Sequence, residues 1–88
     1  MNLRDFEYII AVADEEHFGR ASDKCNVSQP ALSGQIKKLE QTLGVKIFER
    51  TNRRVSVTPV GREIVEKARR LLTMADEIRD TAAAASDP

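Results

Sequence analysis

The chain has 88 residues, 41% hydrophobic and 32% charged, with 14 basic side chains balanced by 14 acidic ones. That suffices for one small domain with a thin core. No apolar run is long enough to cross a membrane, no secretory pattern opens the chain, and a single cysteine beside a single histidine supports neither a disulfide framework nor a metal cluster, so a cytoplasmic, cofactor-free protein is expected.

Asn2 is placed to cap a first helix running to about Glu16, with Leu3, Phe6, Ile9, Ile10 and Ala13 on its inner side and Asp5 near its positive end. A short second helix is predicted from about Phe18 to Cys25, where Phe18, Ala21, Ser22 and Cys25 recur at i, i+3, i+4 and i+7. Small residues on that stripe permit a close helix crossing, and Cys25 belongs to it as a core residue rather than a reactive thiol. His17, between the two helices, is assigned to capping or packing.

Asn26-Val27 forms a brief turn before Ser28-Gln-Pro-Ala-Leu-Ser-Gly-Gln-Ile-Lys-Lys-Leu-Glu-Gln-Thr-Leu-Gly44. Ser28 can cap the first turn, Pro30 sits where a missing N–H costs nothing, and Gly44 follows the last apolar residue. Leu32, Ile36, Leu39 and Leu43 line one stripe. The opposite side carries Pro30, Ala31, Gly34, Lys37, Lys38 and Gln41, small near the helix start and basic beyond it. Two short helices joined by a tight turn make a helix-turn-helix over about residues 18–38. Any helical hairpin shares that spacing, but Gln29, Ser33, Gln35, Lys37 and Lys38 add side chains suited to base edges and phosphates.

After Gly44 the period changes. Residues 45–50 and 54–58 are short β-rich runs, with Val55 and Val57 alternating against polar neighbours, and they predict a two-stranded wing. Arg50, Arg53 and Arg54 are expected to cluster at its tip, where guanidinium groups suit a minor groove or phosphates. The alternative is a solvated hairpin whose basic residues only protect its edges.

Thr58-Pro59 is an N-cap and N1 pair that starts the longest helix, to about Ala84. Ile64, Ala68, Leu71, Ala75, Ile78 and Ala82 alternate steps of four and three, an apolar seam with alanine at every second position. At ~1.5 Å per residue this helix is roughly 40 Å long, well beyond a three-helix core. A solvated monomeric helix, a coiled-coil dimer and a linker to a further domain compete, and the seam favours the last two. From Thr81 the chain degrades into small residues and a terminal Pro88, the expected start of a hinge. The fold expected is therefore mainly α, with a winged helix-turn-helix over residues 1–58 and a dimerisation or linker helix over 59–88.

The zero net charge conceals an uneven distribution. Residues 20–70 hold twelve Lys/Arg against five Asp/Glu, whereas both ends are acidic, an electrostatic footprint for nucleic acid in the middle of the chain.

The residues Phe18-Gly-Arg-Ala-Ser22, Val27-Ser-Gln-Pro-Ala-Leu-Ser33, Ile36-Lys-Lys-Leu-Glu40, Leu43-Gly-Val-Lys-Ile-Phe-Glu-Arg50 and Val57-Thr-Pro-Val-Gly61, in that order, closely resemble the N-terminal domain of LysR-type transcriptional regulators. Asn2-Leu-Arg-Asp-Phe-Glu-Tyr8 and the segment Cys25 to Glu40 most resemble the peroxide-responsive members. The resemblance covers nearly the whole chain. It implies a homodimer joined through antiparallel long helices, with higher oligomers open to the full-length protein. It also implies binding to an interrupted AT-rich palindrome on the bacterial nucleoid, one recognition helix per half-site, and a C-terminal sensing domain carrying the redox cysteines. By the same resemblance Gln29, Pro30 and Ser33 contact the groove, and Arg53 reaches toward the minor groove. Gly34 departs from members with a large polar residue there, leaving backbone approach in its place. A local backbone bond competes with DNA for Ser33. Lys37 and Lys38 suit phosphates better than bases.

No glycine-rich phosphate loop, nucleophile triad or paired-carboxylate spacing is present, so an enzyme is not expected. The rival reading is a protein-interaction or dimerisation module driven by the apolar seam, in which the basic centre only keeps the surface soluble.

Overall fold

The computed structural model describes residues 1–51 and 54–86. Arg53, expected at the wing tip, and Asp87-Pro88, expected in the hinge, lie outside the described residues. In chain order the elements are α1 (Leu3–Glu15), α2 (Phe18–Cys25), α3 (Gln29–Leu43), β1 (Phe48–Arg50), β2 (Val55–Val57) and α4 (Pro59–Ser86).

The helix boundaries follow from local hydrogen bonding. Asn2 Oδ1 accepts the Asp5 N–H at 3.0 Å while Asp5 Oδ2 accepts the Asn2 N–H at 3.0 Å, a reciprocal cap that satisfies two first-turn donors. Glu16, at φ 50°, ends α1, and its N–H donates back to Val12 O. His17 then caps α2, its Nδ1 accepting the Arg20 N–H at 3.0 Å. Asn26, at φ 57°, ends α2, and Ser28 Oγ caps α3 by accepting the Ala31 N–H at 3.2 Å. Gly44 closes α3 in the left-handed region, at φ 73°, where a side chain would be strained.

The core is built around α1, which packs against α2, α3 and α4. Ile9, Val12, Leu32 and Ile47 are its largest wholly enclosed side chains. Because three helices surround α1, its inner face is wider than, and rotated from, the expected stripe. Tyr8, Ala11 and Val12 are buried with Ile9, Phe6, Ile10 and Ala13 are half-buried, and Leu3 is exposed. The stripe of α2 is buried as spaced. On α3, Leu32, Ile36 and Leu39 are buried, but Leu43 lies 37% exposed where the helix outruns its neighbours.

β1 and β2 pair antiparallel with Phe48 opposite Val57 and Arg50 opposite Val55. Each strand is three residues long, shorter than predicted, because Val45 to Ile47 carry the chain from Gly44 back into the core before pairing starts. Phe48 is buried, its ring edge-on to Phe18 at 6.2 Å.

Thr58 fixes how α4 begins. Its Oγ1 accepts the Gly61 N–H at 2.9 Å and donates to Lys46 O at 2.6 Å. Gly61 lies against the β1 approach so closely that a Cβ there would fall 2.2 Å from Ile47 O. Val65 and Ala68 then enter the core with Ile64 half-buried, after which α4 leaves the other helices. The molecule is accordingly elongated, 55 × 25 × 20 Å. Thr81 to Ser86 continue as helix instead of loosening into a hinge, since four consecutive alanines are strong helix formers.

Candidate nucleic-acid interface

α3 crosses the molecule with its apolar stripe in the core, leaving Gln29, Pro30, Ala31, Gly34, Gln35, Lys37, Lys38 and Gln41 exposed. The side chains of Gln29, Gln35, Lys37 and Lys38 make no hydrogen bond or salt bridge among the described residues. Elsewhere the cations are commonly paired: Arg4 with Glu7, Arg20 and Lys24 with Glu15, Arg69 with Asp14, and Arg79 with Asp76. This face of α3 is thus polar, basic and unengaged among the described residues. A Cβ built at Gly34 would meet nothing within 4 Å, so the glycine answers no packing demand of the chain itself.

Ser33 and Arg50 meet across the gap between α3 and the wing. An Arg50 Nη2 proton is donated to Ser33 Oγ at 2.5 Å, and the guanidinium lies 3.6 Å from the centre of the Phe18 ring, a cation over an aromatic face. Arg50, the last residue of β1, is expected to cluster with Arg53 and Arg54 at the wing tip. Instead it is held against α2 and α3, because the ring of Phe18 and the hydroxyl of Ser33 together offer a platform and an acceptor. The side chain of Arg54 is 76% exposed, with its Nη2 3.9 Å from Glu16 Oε2. The local backbone bond weighed against DNA contact for Ser33 does not form among the described residues.

A second link joins α3 to the wing. Glu40 Oε2 accepts the N–H groups of Ile47 at 2.7 Å and Phe48 at 3.2 Å. A carboxylate accepting two backbone donors fixes the base of the wing relative to the exposed face of α3. Neither this role nor that of Phe18 was assigned from the sequence. Ile36-Lys-Lys-Leu-Glu40 reads only as a helix with a polar residue beside its stripe.

Outside this face, Asp14 and Cys25 are among the groups with shifted protonation. The Arg69 guanidinium donates to the Asp14 carboxylate, joining α1 to α4 and holding the Asp14 carboxyl below the usual carboxylate range. Burial pushes the Cys25 thiol up, which fits a core residue and not a nucleophile. No His, Cys, Asp and Glu group suited to a metal ion occurs among the described residues, and no helix there is long and apolar enough to cross a membrane.

The expected seam on α4 divides in two. Ile64 and Ala68 face the chain's own core, because the first turns of α4 must cover α1. Leu71, half-buried Ala75 and Ile78 continue outward and share a shallow apolar groove with Leu3 and Met74. Leu71 is 39%, Met74 57% and Ile78 63% exposed, and Lys67 and Arg70 flank the groove. Ala82 is exposed beyond it. Leu3 and Met74 were not among the expected seam residues.

Three helices with a capped, exposed α3 and a two-stranded antiparallel wing define the winged helix-turn-helix class. Residues 3–62 match the bacterial regulatory helix-turn-helix proteins of the lysR family, and the chain belongs to that family. It is 51% identical over 82 residues, 93% of its length, to a hydrogen peroxide-inducible genes activator of Pectobacterium carotovorum subsp. carotovorum, and spans 27% of that relative. Among solved structures it is similar to full-length OxyR of Pseudomonas aeruginosa, with a TM-score of 0.94 and 49% identity over 99% of this chain and 30% of that one. It is also similar to the BenM DNA-binding domain in complex with benA site 1 DNA, with a TM-score of 0.90 and 39% identity over the whole of both chains.

Proposed function

We propose that residues 1–58 read double-stranded DNA sequence-specifically as the head of a LysR-type transcriptional regulator of the peroxide-responsive, OxyR-like kind, and that residues 59–88 carry the pairing helix and the connection toward a sensing domain. One observation carries this reading. The α3 face bearing Gln29, Gln35, Lys37 and Lys38 is exposed and makes no intrachain polar bond among the described residues. Side chains of that chemistry at a helix start and along its outer face suit a major groove, the glutamines toward base edges and the lysines toward phosphates. Likeness to peroxide-inducible activators and to a DNA-bound BenM domain supports the same assignment.

Pro30, Ser33 and Gly34 complete the groove-facing surface in this reading, with Arg53 and Arg54 on the wing toward the backbone or the minor groove. The groove of Leu3, Leu71, Met74, Ala75 and Ile78 takes the same helix of a second copy. The pair then places one α3 on each half of an interrupted AT-rich palindrome at the nucleoid.

A salt titration tests the reading against a purely apolar interaction module. The 88-residue chain binds labelled duplex DNA, and its affinity falls steeply as salt rises because each neutralised phosphate releases counterions. Absence of duplex binding at low salt would leave the apolar module as the better description.

A further inference from the structure

We propose that Arg50 sets the hydrogen-bonding polarity of Ser33 and thereby determines which bases the start of α3 accepts, an inference that rests on the DNA-reading function above. A serine hydroxyl pairs with donors and acceptors alike, and so discriminates poorly between base edges. Ser33 is not left in that neutral state. Arg50 donates to its Oγ at 2.5 Å, filling one lone pair and placing a positive charge beside the oxygen. The charge makes Oγ a poor second acceptor and polarises its O–H bond into a better donor.

The fate of the hydroxyl proton separates Ser33 from most other helical Ser and Thr hydroxyls, Thr42 being the exception. Ser22 donates to Gly19 O at 2.8 Å, Thr73 to Arg69 O at 3.1 Å, Thr81 to Glu77 O at 2.9 Å and Ser86 to Ala83 O at 3.2 Å. Ser33 donates to no carbonyl among the described residues, so its proton remains available to an incoming partner. The Phe18 ring beneath the guanidinium and the tie between Glu40 and the wing base hold Arg50 in place. Ser33 therefore donates to a base that presents an acceptor, a purine N7, guanine O6 or thymine O4. It is set against the amino groups of adenine and cytosine. Arg50 is a positioning residue in this scheme, acting on the base through Ser33.

The test is selection from a randomised duplex library with the unsubstituted chain, R50M, S33A and the double variant, thermal unfolding serving as the folding control. The unsubstituted chain enriches an acceptor-presenting base at one position of each half-site by about five- to tenfold, the scale of one charge-assisted hydrogen bond. R50M and S33A flatten that same position while the rest of the enriched sequence persists, and the double variant is no flatter than either single one. Should R50M unfold, S33A alone still decides, because an unchanged preference in S33A would overturn the proposal. A uniform loss of affinity in R50M with its preference intact would overturn it too, since that is the signature of a phosphate contact. No enrichment by the unsubstituted chain would instead overturn sequence-specific reading itself, and this inference with it.

Discussion

The Oε2 atom of Glu40, near the end of α3, accepts the Ile47 N–H at 2.7 Å and the neighbouring Phe48 N–H at 3.2 Å. Removing that carboxylate orphans two part-buried backbone donors. E40A is expected to lower unfolding free energy by about 2–3 kcal/mol, and E40Q, which keeps a neutral acceptor, by about 1 kcal/mol. Urea unfolding of the three chains gives the order, and equal, negligible losses would remove Glu40 from this role.

Two glycines on helices should respond oppositely to alanine. At Gly61 a Cβ would collide with Ile47 O at 2.2 Å, so G61A must shift α4 away from the wing base and destabilise by several kcal/mol, on the order of the larger single-site effects. At Gly34 the added methyl meets open space, and G34A should stabilise by about 0.5–1 kcal/mol through helix propensity. Melting temperatures of both variants check the contrast. A stable G61A would mean that the close approach is readily relieved.

These contacts mark where the sequence stops being legible. The caps at Asn2 and Ser28, the α2 stripe and the Gly44 stop depend on residues a few positions apart, so spacing reveals them. The clamp from Glu40 to Ile47 and the stacking of Arg50 on Phe18 depend on segments brought together only by folding. Local pattern gives no sign of which glutamate accepts or which arginine is held. The rotation of the α1 face has a similar origin: burial of Tyr8, Ala11 and Val12 reflects three packing partners, whereas periodicity supposes one. On α4 a continuous seam hid a change of environment, from the chain's own core at Ala68 to solvent at Ile78.

Q29A and K37A should separate base reading from backbone attraction. K37A weakens binding to every duplex and reduces the salt slope by about one phosphate contact. Q29A keeps the slope and changes the ranking among sequences. Both are read from binding isotherms on two duplexes at several salt concentrations. Equal loss on both duplexes for Q29A would remove Gln29 from base readout.

Acid should loosen the junction of α1 and α4. Arg69 holds the Asp14 carboxyl below its ordinary value of 3.8, so the unfolded chain takes up a proton there before the folded chain does. The pair's stabilisation is full above that value and is lost as pH falls below it. With these side chains 37% and 43% exposed, solvent limits the contribution to under about 1 kcal/mol. D14N should therefore cost little at neutral pH and flatten the acid limb of the stability curve. An unchanged acid limb would count against the pair.

Replacing Ile78 with lysine should abolish self-association while leaving the fold intact, because that side chain is 63% exposed in the single chain and lies beyond its core. Sedimentation equilibrium measures the first effect and helical circular dichroism the second. A dimer that survives I78K would place the pairing surface elsewhere.

The seating of Gly61 on Ile47 O also acts as the pivot of a lever. From Gly61 to Ser86 α4 runs roughly 37 Å at ~1.5 Å per residue, so a tilt of about 10° at its root carries the far end about 6 Å, more than one ~3.4 Å base-pair step. In two chains joined along such arms, the separation of their reading heads would be set less by the pairing surface than by the fit of one hydrogen-sized side chain against a carbonyl. Substitutions at this root could thus change which operator spacing the pair prefers without altering any group that faces DNA.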